Sequence, residues 1–184
     1  MKRWFALSAI GRDRPGIVAD LAELIYECDC NLEDSSMTIL GSEFAVLLLL
    51  SGRGELVEQR LSAACKRLEW ERRLTVFFRP LEGEPTPYRA TQQGGGARPW
   101  VLEATGLDKA GIVAKTARCL ADHGINITHM TSASRPEPGT GHMIYTMRIS
   151  MDVPAAVDVE ALRERLERVA EELHIDVHLT EGSS

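Results

Sequence analysis

No stretch of this 184-residue sequence stays apolar for the ~20 residues that a membrane-spanning helix needs. The longest apolar run, Phe44 to Leu50, is seven residues, the size of a buried strand. The start, Met1-Lys2-Arg3-Trp4, leads into an apolar segment broken by Gly11-Arg12-Asp13, so a cleaved leader is not expected. Cysteine is sparse: Cys28, Cys30, Cys65 and Cys119 form neither a C-x-x-C pair nor a disulfide framework, which points to the reducing cytoplasm. Positive charge is also short. A net charge of −6, with no clustered basic face and no helix-turn-helix, argues against direct nucleic-acid binding. Aromatics are 5% of the chain, whereas 44% hydrophobic and 26% charged residues are ordinary for a soluble globular protein. No motif calls for a cofactor or a metal.

What is present is a repeat. Gly11-Arg12-Asp13-Arg14-Pro15-Gly16-Ile17-Val18-Ala19 returns 95 positions later as Gly106-Leu107-Asp108-Lys109-Ala110-Gly111-Ile112-Val113-Ala114. From Leu7 to Asn31, ten of 25 positions are identical to their counterparts at that offset, with no gap. The period is too long for a solenoid unit, so the sequence predicts two tandem domains. Their expected bounds are 1–80 and 99–181, with 81–98 a linker containing Pro85, Pro87 and Gly94-Gly95-Gly96. Domains this small bury proportionally little surface and are expected to pair, most simply in a homodimer.

Each copy reads β-α-β-β-α-β. In the first, residues 4–10 form a strand, and Ile17, Val18, Leu21, Leu24, Ile25 and Cys28 mark one helix face. Asp13 is the expected N-cap, with Pro15 in the first turn. Strands 31–40 and 43–51 flank the tight turn Gly41-Ser42. Leu56, Val57, Leu61, Cys65 and Leu68 mark a second helix, and Leu74 to Phe78 a last strand. The second copy repeats this with helix residues Ile112, Val113, Ala117, Leu120 and Ala121 closed by Gly124. Its hairpin is longer, over Arg135 to Gly141, and places His129 and His142 as neighbours on one sheet. The predicted fold class is α+β: two ferredoxin-like βαββαβ domains, each a four-stranded antiparallel sheet with both helices on one face.

The repeated loop carries the polar chemistry. Asp13 and Asp108 supply carboxylates, and Gly16 and Gly111 present bare backbone at a helix start, whose unpaired N–H groups suit an anionic ligand group. A zwitterion such as an amino acid satisfies both. The same residues also serve a purely structural role, Asp as helix cap and Gly for close packing. Asn31 and Asn126, at the start of the second strand of each copy, either close a turn or offer an amide to a small polar ligand.

D-R-P-G-I-V followed by Asn31-Leu32, and D-K-A-G-I-V followed by Asn126-Ile127, resemble the signature of ACT domains. Two such modules without a catalytic domain resemble the glycine cleavage system transcriptional repressor family. The resemblance implies an amino-acid sensor, with ligand against Asp13, Arg14, Gly16 and Ile17, or against Asp108, Gly111 and Ile112. Asn31 with Leu32, or Asn126 with Ile127, contributes from a partner module. It further implies action through a regulatory protein partner and no direct contact with nucleic acid. Glycine or serine suits a site walled by Gly16 and Ile17. Three alternatives stand beside this reading: a regulatory subunit for an amino-acid enzyme, a dimerisation module without ligand, and an acylphosphatase-like enzyme using Arg12, Arg14 and Asn31.

Overall fold

Period-two alternation builds both sheets. In β1 (Lys2–Arg12), Phe5, Leu7 and Ala9 are buried, while Ala6, Ser8 and Ile10 point to the other face. In β3 (Glu43–Arg53), Phe44, Val46, Leu48 and Leu50 are buried. Onto this apolar side pack α1 (Ile17–Glu27) and α2 (Val57–Arg72), through Ile17, Leu21, Leu24 and Ile25 and through Val57, Leu61, Cys65 and Leu68. With β2 (Cys30–Leu40) and β4 (Thr75–Leu81) the antiparallel sheet runs β2-β3-β1-β4. Among the described residues of this unit, the other face carries no helix.

A second unit repeats the plan, with β5 (Arg98–Leu107), α3 (Ile112–Asp122), β6 (Asn126–Pro136), β7 (Met143–Val153), α4 (Val159–Leu173) and β8 (Ile175–Glu181) in the order β6-β7-β5-β8. Leu102, Leu120, Ile149, Leu162 and Leu166 centre its core. The computed structural model describes residues 2–85 and 96–182. Of the expected linker, 86–95 with Pro87, Gly94 and Gly95 lie outside the described residues. The two compact units are Met1–Pro87 and Tyr88–Ser184.

Several expectations are corrected. Asp13 is not the N-cap of α1. Gly16 takes that place at φ 89°, with no side chain capping the helix, and Pro15 lies in the preceding turn. Gly111, at φ 99°, does the same for α3 without any proline. Only glycine enters this left-handed region cheaply, so the chain turns at the glycine and the helix begins after it. Val18 and Ala121 are exposed, and the buried face of α3 is Ile112, Thr116, Cys119 and Leu120. His129 and His142 are not neighbours. His129 pairs with Ser150, while His142 precedes β7 and accepts from Glu137 N–H at the hairpin tip, about 23 Å along the strand.

Candidate ligand site

β1 positions the first loop. A Cβ on Gly11 would lie 2.6 Å from Leu74 Cδ2, and one on Gly106 would lie 2.6 Å from Ile175 Cγ2, so these two glycines serve close packing against the last strand. Asp13 N–H donates to Ser42 C=O at 2.8 Å, and Asp108 N–H to Met143 C=O at 2.9 Å, tying each loop to the hairpin tip beside it. Neither Asp13 nor Asp108 has a side-chain hydrogen bond or ion pair among the described residues, and both are exposed. Gly16 C=O accepts from Asp20 N–H, and Gly111 C=O from Lys115 N–H, both at 2.9 Å. No side chain caps α1 or α3, and Asp13 and Asp108 lie three residues before the glycine that heads each helix.

The other predicted residues divide. Ile17 and Ile112 are buried, so they can offer a ligand only their backbone. Arg14 folds back onto α1, donating to Asp20 Oδ2 at 2.5 Å, with Arg72 on the other oxygen at 3.1 Å. The Arg14 hydrogen bond holds the Asp20 carboxyl below its ordinary range; burial opposes it, and the charges of Arg72 and Arg14 add lesser lowering effects. In the second unit the polarity inverts: Lys115 stands where Asp20 does and pairs with Glu172 of α4.

Asn31 pairs with Ser51, which pairs with Trp4 at the start of β1, whereas Asp13 follows the end of β1. The asparagine and the loop lie at opposite ends of one sheet, about 30 Å apart. The second unit repeats this, since Asn126 pairs with Asp152, which pairs with Pro99, and Asp108 follows Leu107. A bulge follows each asparagine, between Leu32 and Asp34 and between Ile127 and His129. Leu32 is half exposed beside Asn31, and Ile127 is partly buried beside Asn126. In the first bulge, Glu33 accepts from Ser51 Oγ and pairs with Lys2 at 2.9 Å; both interactions lower its carboxyl pKa, the Ser51 hydrogen bond most. In the second, Thr128 Oγ1 donates to Ser150 C=O at 3.0 Å. These bulge contacts are invisible in the sequence; their one trace is Ser51, the hydroxyl that ends the Leu47–Leu50 run. Among the described residues no group of three His, Cys, Asp or Glu is placed to hold a metal.

Residues 4–79 and 100–171 each match the ACT domain. The chain belongs to the ACT-domain family. It carries two ACT domains in tandem. It is similar to the glycine cleavage system transcriptional repressor of Escherichia coli (strain K12), 25% identical over 94% of this chain and 87% of that protein. A structure of an unknown protein from Galdieria sulphuraria superposes over 100% of both chains with a TM-score of 0.76 and 27% identity. A second solved structure, described as a candidate glycine cleavage system transcriptional repressor, shares the fold with a TM-score of 0.72 and 20% identity over 100% of this chain and 99% of that one. The chain is thus a regulatory ACT-domain protein related to that repressor. Among the described residues, no helix is long and apolar enough to cross a membrane.

Proposed function

We infer that this protein is a non-enzymatic, amino-acid-responsive regulator that binds a small amino acid, glycine or serine in character, at the junction of two ACT modules. The observation that carries this is the paired geometry of loop and asparagine. Each module keeps an uncapped helix N-terminus beside a free carboxylate, complementary to the two ends of a zwitterion. Each also keeps an asparagine at the far end of its sheet. A site that contains both draws Asp13, Gly16 and Ile17, or Asp108, Gly111 and Ile112, from one module and the asparagine from another. Ligand then couples the modules, which is how binding changes the surface offered to a protein partner.

The repressor relationship supports action in transcriptional control of amino-acid metabolism, as a homodimer in the cytoplasm, through a protein partner and without direct contact to nucleic acid. An acyl-phosphate enzyme fits poorly: Arg14 is committed to Asp20, and Asn31 is a sheet length from Arg12.

A thermal-shift scan against the twenty amino acids tests the reading. Ligand at about 100-fold above Kd adds roughly 2.7 kcal/mol of stability, a rise of several degrees for domains of this size. One or two amino acids are expected to give that rise, and Asn31→Ala or Asn126→Ala to abolish it. A flat response to all twenty discards the sensor reading.

A further inference from the structure

The helix-free face of the first sheet exposes large apolar side chains where the same face of the second is charged. Across β2, β3, β1 and β4 its rows read Asp34, Leu49, Ala6, Arg79; then Ser36, Leu47, Ser8, Phe77; then Thr38, Ala45, Ile10, Thr75. Phe77 is 64%, Leu47 58% and Ile10 45% exposed. At the places of Leu47, Ser8 and Phe77, the second unit has Arg148, Glu103 and His178, with Arg148 and Glu103 paired to each other. One duplicated scaffold therefore shows both outcomes: a solvated face and a face with aromatic and aliphatic side chains left in water.

We propose that this face of the first unit is where a second copy of the chain docks, sheet against sheet, about a two-fold axis running along the strands between β3 and β1. This rests on the homodimer reading above and assigns its surface. Half a turn about that axis exchanges the β2 side with the β4 side, and β3 with β1, while each row keeps its level. Phe77 of one copy then faces Ser36 of the other, Leu47 faces Ser8, Ile10 faces Ala45 and Leu49 faces Ala6. Every large side chain meets a small one, the interdigitation that sheet packing at ~10 Å requires. In the outer row Asp34 of one copy faces Arg79 of the other, and neither forms an ion pair within its own chain among the described residues. The chain is self-complementary in both shape and charge about this axis, as an isologous contact demands. The rotation of about 30° between packed sheets keeps the match closest at the central row. The same operation on the second unit would bury Arg148, Glu103 and His178, with a desolvation cost that apolar contacts do not offset.

Three rows on four strands give a footprint on the order of 400 Å² per copy, small for a stable complex, so the dimer is expected to be reversible and concentration-dependent. Sedimentation velocity of the full chain, from about 1 to 100 µM, reads the association constant directly. Wild type should pass from monomer to dimer in that range. Phe77→Lys and Leu47→Asp should remain monomeric with unchanged far-UV spectra. Asp34→Arg and Arg79→Asp should each weaken association about tenfold or more, and the double swap should restore it. Arg148→Ala, on the second unit, should leave it unchanged. A dimer that survives Phe77→Lys and Leu47→Asp overturns the surface and leaves the homodimer standing. A double swap no tighter than the singles overturns the two-fold. A wild type monomeric at every concentration removes the homodimer and this face together.

Discussion

Gly16 and Gly111 each occupy the left-handed region at the head of a helix, a conformation that raises the energy of any other residue by about 1–2 kcal/mol. Gly16→Ala and Gly111→Ala should each lose that much stability, measured by urea denaturation, although a Cβ at either position meets nothing closer than 3.9 Å. Asp13→Ala, by contrast, should change stability by less than about 0.5 kcal/mol, because Asp13 caps nothing. A loss near 1 kcal/mol would instead restore the capping role that the sequence suggests. The spacing of Asp and Gly is equally compatible with a cap and with a ligand loop, and only the backbone angle of Gly16 separates them. The cysteines make a second residue-scale case. Burial pushes the Cys30 thiol up to about 11 and the Cys65 thiol up to about 12. The folded state favours the protonated thiols, so their contribution is intact below the ordinary value of 9.0 and is lost as pH rises towards those folded values. The melting temperature should fall above that value, and Cys65→Val should flatten the fall.

At the scale of elements, the helix pair of each unit is tied by opposite charges in opposite order. Asp20 on α1 is held by Arg72 on α2 and by Arg14, and Lys115 on α3 by Glu172 on α4. The depressed Asp20 carboxyl contributes stability above its unfolded value and loses it as pH falls through the folded one. Asp20→Asn should therefore melt below wild type at neutral pH, with the gap closing below about pH 4. A constant gap at all pH values would mean that packing, not charge, makes the difference. The elements themselves are legible in the sequence. The turn at Gly41-Ser42 and the helical spacing of Leu61, Cys65 and Leu68 both survive in the fold. Helix and strand periods report burial, and burial is what the folded chain keeps. The charge ties are not legible, because Asp20 and Arg72 are distant in the chain and on a helix surface look like any solvated ion. Placing His129 beside His142 failed for a related reason: it assumed a register that only the paired strands could supply.

For the molecule as a whole, duplication is the readable fact, and the spatial separation of the repeated residues is not. The loop and the asparagine could be picked out as repeated residues, but their separation by a full sheet length depends on strand order β2-β3-β1-β4. That order makes one module insufficient for a site containing both. The same reasoning predicts that an isolated first unit, residues 1–87, gives no thermal shift with an amino acid that shifts the full chain and its Asn31 site. A shift of equal size in that fragment would place the ligand within a single module or a pair of identical ones.

Two halves that share a fold and a loop sequence risk exchanging parts while the chain folds, a hazard of tandem repeats. The Arg72–Asp20 tie works against that exchange in the first unit. Aligned by their left-handed C-caps, Arg73 and His174, the two second helices set Leu173 in the place of Arg72, so α4 docked on the first unit would leave Asp20 without that partner. The first half thereby accepts its own second helix more readily than the other's, which helps a duplicated chain keep its two cores apart.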